Sequence, residues 1–316
     1  MKSRVRLSAL SPAAPIAEGA LSALLFAASL WVQPFGFLVC LFSPLPIAVA
    51  AWRSGRVGAG LAAMAGAAAI WATAGLGAAA VYTLYFVAGG CYLGLACRKG
   101  LSPEAMVGGF AAATVLAFGV TLGIQSAQAG VGPMDYLSEG FRQSAGHLRE
   151  LLRQSDASPD LTETLNQWAD HFSRAFPGAV AALAILTGWA NGLGLRKAIR
   201  VRGGFTGPWN TWRARENWIW MLIASGLGAL LAKGTIGTIA LNIFIPALAV
   251  YFLQGLAIVQ HLFEAKAFPR MLRIVTYVLL FFQLPVMLLI AGVGAFDLWL
   301  DFRSRWSSGP ATGART

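Results

Sequence analysis

Residues 241–259 read LNIFIPALAVYFLQGLAIV, the centre of a segment, 236–262, that contains no Asp, Glu, Lys or Arg. A helix of about 20 mostly apolar residues is long enough to cross the hydrocarbon of a bilayer. The whole chain is similar in character, being 57% hydrophobic and 12% charged, whereas soluble domains carry about 25% charged residues. The sequence therefore predicts an all-α integral membrane protein and excludes an ordinary soluble domain.

Apolar windows predict a polytopic helix bundle with eight or nine membrane spans. The windows lie at 15–32, 35–52, 57–75, 78–97, 105–127, 177–195, 217–232, 236–262 and 274–296. They define an N-terminal bundle, 1–127, with about five spans and a C-terminal bundle, 177–303, with three to four. The remaining 304–316 is expected to be a disordered tail. An eight-span protein has its C-terminus in the cytoplasm and a nine-span protein has it outside.

The distribution of positive charge predicts the orientation of the chain. Most Lys and Arg residues fall near the N-terminus or in the connections 53–56, 98–99, 196–215 and 266–273. The positive-inside rule places these connections in the cytoplasm. We therefore expect a multi-pass protein of a bacterial-type inner membrane with a cytoplasmic N-terminus. The lipid bilayer explains the formal net charge of +11, and no recognition module indicates a nucleic-acid partner.

The segment 128–176 is the one long polar stretch and is expected on the extracytoplasmic side. Its apolar residues recur at helical spacing in two groups: Phe141, Ala145, Leu148 and Leu152, then Leu161, Leu165, Trp168, Phe172 and Phe176. Ser158-Pro159-Asp160 is a typical helix start between them. The pattern predicts two amphipathic helices that lie on the membrane surface or cap the bundle.

The motif Ser43-Pro44-Leu45-Pro46 interrupts the second predicted span. Two prolines remove backbone donors and break the helical hydrogen-bond ladder. At membrane depth, a broken helix lines a cavity or is buried in protein. Transporters use such breaks to bind substrates, but a simple kink that shapes helix packing is the alternative interpretation.

Three other polar residues lie in predicted spans and are costly there without partners. Glu18 begins the first span, where it is either an interfacial acid or a buried one. Asn242 and Gln254 lie within the span 236–262, where interhelical hydrogen bonding is the alternative to ligand contact. Our predicted substrate-binding set is Glu18, Ser43, Pro44, Pro46, Asn242 and Gln254.

The last span ends with Asp297, Asp301 and Arg303. A carboxylate pair four residues apart is suited to proton or cation handling, but a structural ion pair at the membrane interface is the favoured interpretation. Cys40, Cys91 and Cys97 show no metal or disulfide spacing. Because the chain lacks catalytic signatures, we expect neither an enzyme nor a cofactor or metal.

Short motifs over most of the chain resemble the YybS-like bacterial membrane proteins, a family without an established function. The resemblance is carried by Ile16-Ala17-Glu18-Gly19-Ala20-Leu21, Ser43-Pro44-Leu45-Pro46, Gln254-Gly255-Leu256-Ala257-Ile258, Gly294-Ala295-Phe296-Asp297 and Asp301-Phe302-Arg303. The N-terminal half is also similar to substrate-capture subunits of energy-coupling-factor transporters, with a proline-bearing early helix and a Gly-rich one. That similarity implies solute capture with transporter coupling subunits as partners.

The sequence thus favours transport-type binding of a small solute within the helix bundle. The alternative is a scaffold for cell-envelope assembly, whose partners are envelope proteins. It rests on the basic connection 196–215 and the amphipathic helices as docking surfaces, and on similarity of the N-terminal half to the membrane scaffold of the rod-shape cell-wall apparatus.

Overall fold

The computed structural model describes residues 12–32, 35–153, 160–199, 212–266 and 268–307, which contain helices, turns and short loops but no strand. The helices are α1 (Ala13–Trp31), α2 (Gly36–Cys40), α3 (Pro44–Val81), α4 (Ala88–Arg98), α5 (Pro103–Ala129), α6 (Pro133–Arg153), α7 (Asp160–Ile199), α8 (Trp218–Leu231), α9 (Gly234–Ala265), α10 (Arg270–Phe282), α11 (Leu284–Leu300) and α12 (Phe302–Ser307). A π-helical segment, Tyr82–Val87, joins α3 to α4. The predicted all-α class is confirmed for these ranges.

Several predicted features lie outside the described residues. They are the N-terminal Lys2, Arg4 and Arg6, the helix start Ser158-Pro159, residues 200–211 of the basic connection and residues 308–316 of the tail.

Among the residues that the structure describes, five helical stretches are long and apolar enough to cross a membrane. They are Ala13–Trp31, Gly36–Arg98, Pro103–Ala129, Gln167–Ile199 and Gly234–Ala265. The apolar helices α8 and α11 are shorter, with 14 and 17 residues. The chain is therefore a membrane protein with several apolar helices, as its composition predicted.

The stretch Gly36–Arg98 is 63 residues long and bends sharply at two glycines. Gly55 has φ 65° and ψ −147°, and Gly75 has φ 84° and ψ 176°. Side chains disfavour positive φ, so glycine is the residue that admits these bends at little steric cost. Both bends fall at or beside connections between predicted spans, 53–56 and 76–77, and they divide the stretch into three apolar pieces.

The described residues pack into two compact units. The described residues of the first unit lie within 1–121 and 184–206, and those of the second lie within 122–183 and 207–316. In the first unit, α1 packs closely against α3, and a Cβ atom at Gly19 would overlap the Ala62 carbonyl. Small residues at helix crossings permit this approach of two backbones.

In the second unit, α9 crosses α11 at two glycines. A Cβ atom at Gly255 would overlap the carbonyl oxygen of Ile290, and one at Gly294 would overlap that of Tyr251. The two backbones are thus in direct contact and run antiparallel, because Gly255 meets Ile290 whereas Gly294 meets Tyr251. This crossing positions the charged cluster described below.

Replacing Gly294 with alanine is expected to lower the free energy of unfolding by about 1–3 kcal/mol, because the added methyl group forces two backbones apart. Gly292 lies on the same helix, and a Cβ atom added there would meet nothing within 4 Å. Gly292→Ala is the matched control and should be neutral or slightly stabilising. Thermal unfolding in detergent compares them, and equal midpoints would contradict the close crossing.

The helices α6 and the start of α7 contact each other in the second unit. Arg142 forms an ion pair with Asp170 at 3.1 Å, and the rings of Phe141 and Phe176 lie 5.2 Å apart, edge to face. Both aromatic residues belong to the predicted apolar faces. The first predicted amphipathic helix thus corresponds to α6, which contacts α7 here. The second is not a separate helix, because it forms the first part of α7, which continues through the predicted span 177–195.

Candidate functional site

Side-chain hydroxyl groups form hydrogen bonds at the helix break before α3. Pro44 is the first residue of α3, a position where proline fits because first-turn N–H groups have no helical partner. Ser22 on α1 donates to the Ser43 carbonyl at 2.6 Å, and Ser43 donates to the Ser22 carbonyl at 2.9 Å. Tyr82 donates to the Ser22 hydroxyl at 2.8 Å. All three side chains are fully buried.

Asn191 of α7 donates a hydrogen bond to a second backbone carbonyl at the break. Its Nδ2 atom donates to Leu41 at 2.8 Å and to Thr187 in its own helix at 2.8 Å. Asn191 is fully buried and was missed in the sequence analysis; an amide in the predicted span 177–195 was the available signal. The protein's own side chains thus bind two of the backbone carbonyls at the break.

Glu18 has a partner on α3. Its carboxylate lies 2.8 Å from the guanidinium of Arg53, with side-chain exposures of 14% and 45%. A mostly buried acid in an apolar helix needs such a cation. The pair joins α1 to α3 close to the bend at Gly55, and it explains Glu18 without a ligand.

Asn242 of α9 forms hydrogen bonds with backbone groups of α7 that lack helical partners beside a proline. Pro177 lies inside α7 and lacks a backbone N–H, so the helical ladder opens around it. Asn242 accepts from the Gly178 N–H at 2.5 Å and donates to the Arg174 carbonyl at 2.7 Å. Its amide also donates to Thr238 within α9 at 2.8 Å. This amide clasp is interhelical hydrogen bonding, the alternative considered for Asn242.

Gln254 holds the segment that precedes α8. It is buried, and its Oε1 atom accepts from the Ala214 N–H at 3.0 Å. Arg303 donates to the Trp212 carbonyl of the same segment at 2.8 Å. Gln254 therefore anchors backbone from a distant part of the chain.

Asp297 is the centre of a charged cluster at the end of α11. It is fully buried, and its Oδ2 atom lies 3.7 Å from Nε of Arg303 and 3.8 Å from Nε of Arg213. Its Oδ1 atom accepts from the Phe302 N–H at 3.0 Å. Asp301 pairs with Arg213 and ends α11 in the left-handed region, with φ 41°. Two carboxylates and two guanidinium groups form a cluster with no net charge.

The environment of this cluster shifts two of its pKa values. The hydrogen bond from Arg213 holds the pKa of the exposed Asp301 carboxyl below its usual range. Burial lowers the pKa of Arg303, and the nearby Asp297 carboxylate acts in the opposite direction. Paired and balanced charges of this kind are typical of a structural network.

An open cleft of about 320 Å³ lies between α7 and the turn that joins α8 to α9. Its basic lining residues are His171, Arg174 and Lys233, and no acidic residue lines it. Ala229, Ala232, Gly234, Gly237, Thr238 and Leu241 complete the lining. Unlike the polar groups at the helix break and in the amide clasp, these basic side chains lie at an open surface.

A family described as "Predicted membrane protein (DUF2232)" matches residues 20–298, more than half of the chain. The chain belongs to this family. Membership of DUF2232 confirms the prediction of a membrane protein, whereas the YybS-like and capture-subunit resemblances stay predictions. No curated protein and no solved structure matches the chain.

The range matched to DUF2232 contains the cleft but ends before Asp301 and begins after Glu18. The predicted substrate-binding residues fall in both compact units, with Glu18, Ser43, Pro44 and Pro46 in the first and Asn242 and Gln254 in the second. Asn242 and Gln254 are 12 residues apart on α9, about 18 Å along the helix. Within the described ranges, no three His, Cys, Asp or Glu side chains group as a metal site.

The cleft was missed in the sequence analysis of this DUF2232 chain, although its parts were visible. His171 falls in the predicted outer segment 128–176, and Lys233 lies in a predicted outer turn. Shared location on one predicted side was therefore the available signal. Their proximity depends on how α7 packs against α8 and α9, which spacing in the sequence does not show.

Proposed function

We propose that the chain is a transport-type membrane protein that binds a small polar solute at the cleft between α7 and the α8–α9 turn. The observation that carries this proposal is the cleft itself, with a volume of about 320 Å³ and three basic side chains in its lining. Small-molecule sites typically measure about 300–1,000 Å³ and combine apolar walls with a few polar groups. The proposed role is binding without catalysis.

The alternative locations supply weaker support for solute binding. The hydroxyl groups around Ser43 and the amides of Asn242 and Gln254 all have partners inside the protein. A solute at any of them would have to displace hydrogen bonds that already exist. At the cleft, ligand groups compete only with water, so binding there requires no such rearrangement.

We also propose the finer topology of eight or nine spans in a bacterial inner membrane, with a cytoplasmic N-terminus. The bends at Gly55 and Gly75 support it, because they make three successive apolar pieces out of one stretch. The apolar helices α8 and α11 support further crossings. In this topology, the cleft, α6 and the start of α7 are extracytoplasmic, and transporter coupling subunits are candidate partners.

One observation favours a scaffold for envelope assembly as the second candidate. Trp168 and Phe172 on α7 are stacked with their ring centroids 5.8 Å apart, and both are more than half exposed. Exposed aromatic pairs are frequent anchors of protein interfaces. In this role, the chain would recruit envelope proteins through α6 and α7.

Native mass spectrometry of gently solubilised protein from its own host tests the two roles. Solute binding predicts a small retained mass that is lost when Arg174 and Lys233 are both replaced by alanine. A scaffold predicts no retained small mass but stoichiometric envelope proteins, which should disappear from a Trp168→Ala/Phe172→Ala variant. An empty protein with retained envelope proteins would overturn the transport-type proposal.

A further inference from the structure

We propose that the cleft binds a phosphate-bearing group. This inference rests on the proposed function and specifies the class of its ligand. The phosphate is carried either by a free solute or by a lipid headgroup, because the contacts that recognise it are the same.

The first argument is the uncompensated positive charge around the cleft. In the described part of the chain, neither Arg174 nor Lys233 has an ion-pair partner. Asp170, the acid next to His171 on α7, is engaged by Arg142 at 3.1 Å. Cations that converge without an acid repel one another, and a bound anion removes that repulsion.

The second argument is the position of Lys233. It directly precedes α9, whose N-terminus has no side-chain hydrogen-bond cap. Helix N-termini carry partial positive charge and favour acids, so a lysine there is electrostatically unfavourable. Gly234 and Gly237 of this first turn line the cleft together with Thr238. An anion in the cleft therefore interacts with two side-chain cations and with the positive end of a 32-residue helix.

The third argument is the orientation of the His171 ring. Its Nδ1 atom lies 2.6 Å from the carbonyl oxygen of Gln167. A carbonyl only accepts, so Nδ1 donates to it, and Nε2 is the ring nitrogen left to contact a ligand. Two cations and an imidazole suit a group with three or more oxygens that share negative charge, such as hydrogen phosphate or the headgroup of phosphatidylglycerol.

The size and the remaining walls of the cleft indicate that the phosphate belongs to a larger molecule. Ala229, Ala232 and Leu241 give the cleft an apolar part. Such walls are suited to the organic portion of a phosphorylated solute or to the glycerol backbone of a lipid.

The test uses full-length protein in a phosphate-free maltoside detergent. Line broadening of the ³¹P signal of inorganic phosphate probes the free ion, and native mass spectrometry with added phosphatidylglycerol or phosphatidylcholine probes the lipid. Arg174→Ala/Lys233→Ala should weaken binding about tenfold or more in whichever arm wild-type protein binds. Lys266→Ala/Arg270→Ala removes the same charge from exposed residues beyond the other end of α9 and should bind like wild type.

The outcomes separate this inference from the proposed function. If wild-type protein binds inorganic phosphate and the cleft variant does not, the result supports both the phosphate inference and the proposed solute binding. If the protein retains only phosphatidylglycerol, the ligand is a lipid headgroup, and the proposal of solute binding is overturned. A retained neutral solute, with no effect of either phosphate probe, overturns this inference and leaves solute binding standing. If the Lys266→Ala/Arg270→Ala control weakens phosphate binding as much as the cleft variant does, the effect is due to net charge alone, and the phosphate inference is overturned.

Discussion

Replacing Asp297 with alanine is expected to lower the free energy of unfolding by about 3–5 kcal/mol, the range seen when one partner of a buried ion pair is removed. The carboxylate is fully buried beside Arg303, whose side chain is 8% exposed. Without Asp297, that guanidinium stays buried with its nearest counter-ion removed. The Phe302 N–H also loses its acceptor at the start of α12.

The matched control for this substitution is Asp301→Ala. Asp301 belongs to the same cluster, but its side chain is 50% exposed, and exposed ion pairs contribute little because water screens them. Asp297→Asn keeps the hydrogen bond to Phe302 and removes only the charge, so it should fall between the two. The measurement is the unfolding midpoint in detergent. If Asp297→Ala and Asp301→Ala unfold alike, Asp297 is not the centre of the cluster.

Replacing Asn242 with alanine is expected to cost about 2–4 kcal/mol, because the Gly178 N–H and the Arg174 carbonyl both lose their partner. Asn242→Leu leaves the same groups unpaired without opening a large cavity, and it should cost nearly as much. Gln260→Ala removes an amide that bonds only Glu264 of its own helix, and it should change stability little. Thermal unfolding in detergent compares the three variants.

A double-mutant cycle with Pro177 tests whether Asn242 stabilises the protein through the unpaired backbone groups beside that proline. Pro177→Ala restores a backbone N–H and allows the α7 ladder to close, so Gly178 can bond the Arg174 carbonyl within its own helix. Asn242→Ala should then cost much less in the Pro177→Ala background than in wild type. Additive costs would show that Asn242 stabilises the protein by another route.

The apolar pattern of the sequence predicted α1, α5, α8 and α9 to within a few residues, because long apolar runs appear in any local window. The predicted span 274–296 was wrong as one helix, since it is divided at Gln283 between α10 and α11, and the predicted span 177–195 is only part of α7. The bends at Gly55 and Gly75 lie at or beside predicted connections between spans. These connections were predictable because glycine and polar residues are local signals of a break in a helix. The pairing of Asp297 with Arg303 was also accessible, because only six positions separate the two residues.

Partners that are distant in the sequence were beyond this reasoning. Asn242 was recognised as a polar residue in need of partners, but its partners lie in α7, 64 and 68 positions away. Arg213 was assigned to a cytoplasmic connection and not to the cluster of Asp297. Local patterns show that a buried polar group must be satisfied, and only the packing of helices decides by which residue.

The shortness of α8 has a consequence for the surrounding lipid. Its 14 residues measure about 21 Å, which is less than the roughly 30 Å of hydrocarbon in a typical bilayer. Lipids meet such a mismatch by compressing their chains, so the leaflet dips beside the helix. In the proposed topology, where α8 crosses the membrane, the turn at Ala232 and Lys233, and with it the mouth of the cleft, sits at the level of the headgroups. Lateral diffusion within the leaflet would deliver molecules to this opening as readily as diffusion through water.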